Sequence, residues 1–387
     1  MATPFPFTSG QVLTAAQMNA ITTLPINDQT ANYTLVVGDV GKRVIMNVAS
    51  ANTVTVNDSI FAAGDTIFIA NKGAGVSTIT AGAGVTINTS GSLALAQYGG
   101  GTLIALSAST FTFFPAGGIG YGTATGGTSS SITVGGQNYT LLTFTSTGTL
   151  TVTKAGLFDV LGAGGGGAGS RADNGAGGGG AGSIWQTTIY LDGNETVTIG
   201  GGGAKNTGFQ GRAGQSGSPS LVGTKYSAVG GGAGGTQDSP IGMSGGSGGG
   251  QGYGNANAAA IGKSIDGFGF NGGQCGTSSG SNNGGGGGGG GAGGVGGNGS
   301  GNNAGAGGAG KDISAFRGEG ALTTIKGGGG GGGSTGGSGG AAGSGGGTAG
   351  NSNTDAGANT ASGGGGGTIS GDQGAGGSGF VLVRFKV

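Results

Sequence analysis

Between residues 31 and 114, apolar and polar positions alternate in short runs, at 33–37, 44–48, 53–56, 66–70, 76–80, 85–88, 93–97, 102–107 and 111–114. A period of two is that of a strand with one face buried. Turn tripeptides separate the runs, among them Gly73-Ala74-Gly75, Gly82-Ala83-Gly84 and Gly99-Gly100-Gly101. Short strands at even spacing predict a small antiparallel β-sandwich or barrel, with Val54, Val56, Ile67, Ile69, Ile79, Val85, Ile87, Leu103 and Ile104 in its core. The alternation returns at 139–145, 149–161 and 183–191, the last run placing Trp185, Ile189 and Leu191 on one side. Asp192-Gly193 is a two-residue hairpin signal leading into 195–199. The chain closes on 380–387, where Val381, Val383, Phe385 and Val387 oppose Phe380, Leu382, Arg384 and Lys386.

Near the start the signal is helical. Thr14 and Gln17 make a capping box and Leu13 and Met18 a hydrophobic staple. They predict a short helix over 15–21 that ends before Pro25. A helix this short is marginal alone in water. Leu13, Thr14, Gln17, Met18 and Ile21 are therefore candidate docking residues. The expected organisation is a docking segment at 1–30, the β-module at 31–114, a Gly/Ser/Thr linker at 115–138 and a second module at 139–387.

Composition changes the picture of that last module. Of the 111 glycines only 21 fall in the first 150 residues, and uninterrupted runs occupy 284–291 and 327–333. Glycine loses the most backbone entropy on folding, and few apolar side chains are present there to offset it. Disorder is the ordinary expectation for such sequence. The alternative is a lattice of polyproline-II-type helices, with three residues per turn and outward-facing N–H and C=O groups. Without Cβ atoms such helices approach closely enough to bond one another. Strand-like segments at both ends of the glycine-rich stretch favour the lattice. The expected fold class is all-β: a short N-terminal helix, the sandwich or barrel, and a β-frame enclosing a polyglycine-II helix bundle.

Charge and chemistry exclude more than they suggest. Fourteen basic and fourteen acidic residues cancel, so no basic face is expected for nucleic acid or an anionic membrane. Histidine is absent and Cys275 is the one cysteine, which excludes a disulfide framework, a Cys/His zinc site and a Ser-His-Asp triad within one chain. No apolar stretch is long enough to span a bilayer, and the first residues do not read as a secretory signal. Gly262-Lys263-Ser264 resembles the end of a phosphate loop, but Asn257 stands where its first glycine is required. No catalysis and no cofactor are expected. Tyr253, Phe268, Phe270, Phe316 and Arg317 interrupt the glycine runs. They either fill the ends of the bundle or form a recognition patch at its free end, with rings for stacking and a forked donor.

The chain resembles a bacteriophage tail fibre or virion adhesin. The run from Ser9 to Ile21 is similar to attachment segments of phage structural proteins. Gly38-Asp39-Val40-Gly41-Lys42, Gly64-Asp65-Thr66-Ile67 and Gly84-Val85-Thr86-Ile87 resemble a β-module recurrent in phage fibres. Val160-Leu161-Gly162-Ala163 with its following glycines, Gly200 to Ala204, and the close from Gly376 to Arg384 resemble the glycine-rich adhesin domain. The resemblance implies a homotrimeric virion fibre. It would dock on other tail or capsid proteins through residues 1–30 and contact a host surface glycan or outer-membrane protein through loops at the free end of the glycine domain. A capsid-mounted or purely supporting fibre is the neighbouring alternative. An ice-binding polyglycine-II protein is a more distant one, which would require regular Thr or Ala rows.

Overall fold

The computed structural model describes residues 25–89, 91–116, 120–206, 213–254, 261–277, 284–368 and 373–387. The expected helix at 15–21, with Leu13, Thr14, Gln17, Met18 and Ile21, lies outside the described residues. Among the described residues the protein is all-β, apart from one 3-10 turn at Val37–Asp39. Two compact units divide the chain, Met1–Gly120 and Tyr121–Val387.

In the first unit, strands β1 (Ile26–Gln29), β2 (Tyr33–Thr34), β3 (Arg43–Met46), β4 (Asn52–Val56), β5 (Thr66–Asn71) and β6 (Ser77–Ala81) alternate between two sheets. Within each sheet the successive strands are parallel: β1 with β3 and β3 with β5, then β2 with β4 and β4 with β6. This is a solenoid-like winding, and it replaces the antiparallel sandwich or barrel read from the sequence. Alternation reports which face a strand buries, not which strand lies beside it. The corners explain the winding. A Cβ on Gly73 would sit 2.3 Å from the backbone of Val48, and one on Gly75 2.0 Å from Ser50 O, so one coil's corner rests on the preceding coil's backbone. Asn71 holds that corner from inside, donating to Gly75 O at 2.7 Å and Leu95 O at 2.9 Å and accepting from Gly73 N–H at 3.0 Å.

Strands β7 (Thr86–Thr89), β8 (Ala94–Leu95), β9 (Gly100–Ala105) and β10 (Thr110–Ala116) complete the unit, β9 pairing antiparallel with both β5 and β10. Val44, Val54, Val56, Ile67, Ile69, Ile79, Leu103, Phe111 and Phe113 meet between the sheets. Val85 and Ile87 pack on this core while partly exposed.

The second unit opens with β11 (Thr123–Thr125) and β12 (Thr128–Val134), both within the stretch expected to be linker. Next come β13 (Gln137–Phe144), β14 (Gly148–Lys154), β15 (Gly156–Ala163), the short β16 (Gly175–Ala176), β17 (Ile184–Leu191), β18 (Glu195–Thr198), β19 (Ser220–Val222) and β20 (Tyr226–Ala228). Short strands β21 (Lys311–Asp312), β22 (Ile325–Lys326) and β23 (Gly333–Ser334) precede the closing β24 (Phe380–Lys386). Sheets β12-β13-β24-β15-β17 and β11-β14-β18-β19-β20 form a sandwich around Phe144, Leu150, Phe158, Val160, Val197, Val381, Val383 and Phe385. The last strand is central, hydrogen-bonded to β13 on one side and β15 on the other. Its opposite face, Phe380 and Leu382 with Leu141, Leu161 and Ile184, is covered by Ala292, Ile313, Phe316 and Ala361 from the glycine-rich region.

That region is an ordered lattice of extended segments, not coil. Residues 164–170 leave β15 and 177–183 return into β17, and both are buried. Along 164–170 the N–H donors visit three neighbours in strict rotation. Gly164, Gly167 and Ser170 donate to Ser183, Gly180 and Gly177; Gly165 and Ala168 to Ser218 and Gln215; Gly166 and Gly169 to Gly377 and Gly374. Every third residue faces the same neighbour, the repeat of an extended helix with three residues per turn. The carbonyls of 165–168 accept from Gly231, Gly203, Gly364 and Gly234, adding three further neighbours, so six segments surround this one. Residues 177–183 and 284–291 are likewise each ringed by six. At the interior glycines a Cβ would typically fall about 2 Å from a neighbour's carbonyl oxygen, as for Gly287 against Gly273 O at 2.0 Å, an approach that only glycine admits. Ala168, Ala181 and Ser247 occupy the positions that do admit a Cβ.

Candidate functional site at the far end of the glycine lattice

The lattice has two unlike ends. Segments start at the sandwich and turn back roughly 20 Å away, the length of seven residues at this rise. The turn at 171–176 is therefore at the far end, and hydrogen bonds gather other turns beside it. Tyr253 N–H donates to Gly175 O at 2.8 Å, Asn174 Nδ2 to Gln237 Oε1 at 3.1 Å and Thr335 N–H to Asn174 O at 3.1 Å. Ser334 Oγ donates to Asn302 O, and Asn351 Nδ2 to Ser334 O at 2.6 Å. Asn351 and Asn353 hold left-handed φ of 58° and 46°, a conformation asparagine tolerates better than most residues.

This surface is rich in carboxamides and hydroxyls, with few charges. Lys205 Nζ meets Asp355 Oδ1 at 2.9 Å and Asn353 Oδ1 at 3.4 Å. The Ala375 N–H bond to Asp355, ahead of the lysine, holds that carboxyl below its usual range. Asp173 Oδ1, Asn302 Oδ1 and Gln373 Oε1 are buried side-chain acceptors without a hydrogen-bond partner. A cavity of about 370 Å³ opens here, lined by Gln251, Gln274, Cys275, Thr277, Asn298 and Ser300. Its walls are fixed by the lattice: Cys275 N–H donates to Gln251 Oε1 at 3.2 Å, Gln274 N–H to Asn298 Oδ1 at 2.9 Å and Gly299 N–H to Gln274 O at 2.8 Å. Burial pushes the Cys275 thiol pKa up, which favours the neutral thiol. Among the described residues no group of three or more Cys, Asp or Glu is placed to hold a metal ion.

The structure does not assemble the five aromatic and basic candidates into one patch. Tyr253 alone is at the far end. Phe268, 42% exposed, lies at the sandwich end, where it stacks on Trp185 at 4.8 Å, and Trp185 in turn stacks on Tyr226 at 4.5 Å. Phe270 follows it, accepting from Gly248 N–H at its carbonyl. Phe316 is buried against the sheet under the Arg384 guanidinium, 4.2 Å from the ring centroid. Arg317 pairs with Glu319 at 2.6 Å in the same insertion. The physical reason is topological, since breaks in the glycine runs occur at both ends. Because the segments run back and forth, breaks alternate between far end and sandwich, and counting them from β15 is the sequence signal that sorts them.

A second recess, of about 240 Å³, lies at the sandwich among Asp159, Gln186, Thr188, Phe316 and Arg384. Its charges are already matched. Arg384 Nε reaches Asp159 Oδ2 at 3.2 Å and Nη1 donates to Phe316 O at 2.8 Å, while Thr188 and Tyr121 hydroxyls donate to the same carboxylate. This cluster seats the insertion on the sheet.

Among the described residues no helix is long and apolar enough to cross a membrane. No match was found among curated proteins. The glycine-rich domain model matches residues 143–386, which run from β13 through the lattice to the closing strand, and the chain belongs to that family.

Proposed function

We propose that the chain is a non-enzymatic, homotrimeric virion fibre. Residues 1–30 dock on other tail or capsid proteins, and the glycine module contacts the host surface, a glycan or an outer-membrane protein, through its far end. One observation carries the reading. Inside the lattice a side chain added at nearly every glycine collides with a neighbour's backbone, whereas the far-end turns hold Asn, Gln, Ser and Thr. Such a scaffold fixes the turns rigidly and leaves their side chains free to differ, which suits a surface selected for recognition. The polyglycine-II bundle is then the rigid support of a variable tip, and its near-neutral surface gives no purchase to nucleic acid.

The test replaces Gln237, Tyr253 and Thr335 together by alanine in particles carrying the chain. Host adsorption is expected to fall while the melting temperature of the purified chain is retained. Undiminished adsorption with an intact fold removes the recognition role and leaves a supporting fibre. Sedimentation of the purified chain checks the trimer.

A further inference from the structure

Resting on the reading that the far end is the contact surface, we infer that the cavity between residues 251, 274–277 and 298–301 is a subsite for one neutral sugar unit. Its volume, about 370 Å³, is within the range in which small ligands are held. The ligand class follows from the lining. Gln251, Gln274 and Asn298 bring carboxamides, Thr277 and Ser300 bring hydroxyls, and none of these carries a charge. An anionic or cationic ligand would give up its hydration with no counter-charge to replace it, and an apolar one would strip water from the exposed Asn298, Thr277 and Ser300 side chains without return. A polyol meets both demands, because each of its hydroxyls donates and accepts, as do the exposed Thr277 and Ser300 hydroxyls, with Asn298 Nδ2 as a further donor.

The cavity is also pre-organised. Gln251 is 1% exposed, with its Oε1 held by Cys275 N–H, and Asn298 Oδ1 is held by Gln274 N–H. Each is thereby fixed in one orientation before a ligand arrives, which lowers the entropy lost on binding. Thr277 and Ser300 are exposed at the mouth, with their side chains outside the lattice. Bulk placed there closes the cavity without entering the lattice.

The full-length chain is titrated by calorimetry and ligand-observed NMR with methyl glycosides of neutral hexoses and N-acetylhexosamines, and with glucuronate and sialate as charged comparators. At least one neutral glycoside is expected to bind with a Kd on the order of 1 mM. Ser300→Trp and, separately, Thr277→Trp are expected to weaken that binding at least about tenfold with unchanged melting. Absence of binding by every neutral glycoside, binding that both tryptophan variants leave intact, or equal binding of the charged sugars overturns the inference. Adsorption that depends on the far end while no sugar binds defeats the subsite and leaves the proposed function standing. Sugar binding to a chain that does not compete for adsorption defeats the proposed function and leaves the subsite.

Discussion

Replacing Gly287 by alanine tests the close packing of the lattice interior. The new Cβ would lie 2.0 Å from Gly273 O and 2.5 Å from Gly273 C. An ordinary C···O contact is about 3.3 Å, so the two segments must separate by about 1.3 Å. Three hydrogen bonds cross that contact or adjoin it: Gln251 N–H to Gly273 O at 2.9 Å, Gly273 N–H to Gly288 O at 2.7 Å and Gly287 N–H to Gln251 O at 2.8 Å. Separation by that amount takes the Gly273 bond to Gly288 O out of range and distorts the two that run through Gln251. At about 0.5–1.5 kcal/mol net each, with the buried groups left unpaired adding to the loss, the cost is roughly 3–5 kcal/mol. For a unit of this size that lowers the melting temperature by about 6–15 °C. Gly201 is the control, since it accepts a lattice bond from Ser218 N–H yet a Cβ there meets nothing within 4 Å. Gly201→Ala is expected to be neutral, or to stabilise by up to about 1 kcal/mol through the unfolded chain. Calorimetric melting of the two variants side by side decides the matter, and equal melting temperatures would refute a close-packed lattice.

Phe316→Ala removes a ring buried under Arg384 and is expected to cost about 3–5 kcal/mol in denaturant unfolding, with adsorption per folded particle unchanged. Burial raises the Tyr226 phenol above its ordinary value of 10.0. The folded state therefore requires the neutral form, so this stability is intact below about pH 10 and declines as pH rises further. Tyr226→Phe should lose that alkaline sensitivity in pH-dependent melting, at a cost of about 1–3 kcal/mol for unpairing Gly162 N–H and Trp185 O at neutral pH. In the first unit Asn71→Ala takes the amide donor from Gly75 O and Leu95 O, while Gly73 N–H keeps its bond to Met46 O at 3.1 Å, and urea unfolding of that unit should show a loss of about 1–3 kcal/mol.

The strands were legible because alternation is a local property. The runs at 66–70, 139–145, 183–191 and 380–387 each match an observed strand, and Val381, Val383 and Phe385 bury the face expected of them. Partnering was not legible. Nothing in the period of 43–46 distinguishes a parallel neighbour at 66–71 from an antiparallel one, and the corner contacts of Gly73 and Gly75 that decide it are tertiary. The segment 121–134 looked like linker because Thr, Ser and Gly predominate, yet β12 needs little burial of its own when β13 supplies its hydrogen bonds. Ordered glycine segments could be expected from composition and flanking strands. Which breaks face outward could not be read from residue type. Phe316 and Tyr253 are both aromatic interruptions of a glycine run, and only the number of segments preceding each places one at the sheet and the other at the tip.

A lattice bonded through the backbone imposes a further constraint on the whole unit. Residues 177–183 donate to 229–235, 287–290 and 361–364, and accept from 164–170, 247–250 and Gly330, so their partners come from nearly the full length of the module. No pair of segments can bury its polar groups alone, because the remaining faces of each stay unpaired until the other neighbours arrive. Order is therefore gained collectively, and the sandwich supplies the place to begin, with β15 and β17 fixing where 164–170 departs and 177–183 returns. The central position of β24 ties the start of the lattice to its end, since the chain re-enters the sheet only after the last glycine segment is laid down. Substitution inside such a structure is felt by six neighbours at once, whereas substitution in a far-end turn is felt mainly where it occurs. The same glycine content that makes the interior intolerant of change thus leaves the far-end turns as the part of the module able to acquire a binding specificity without cost to the fold.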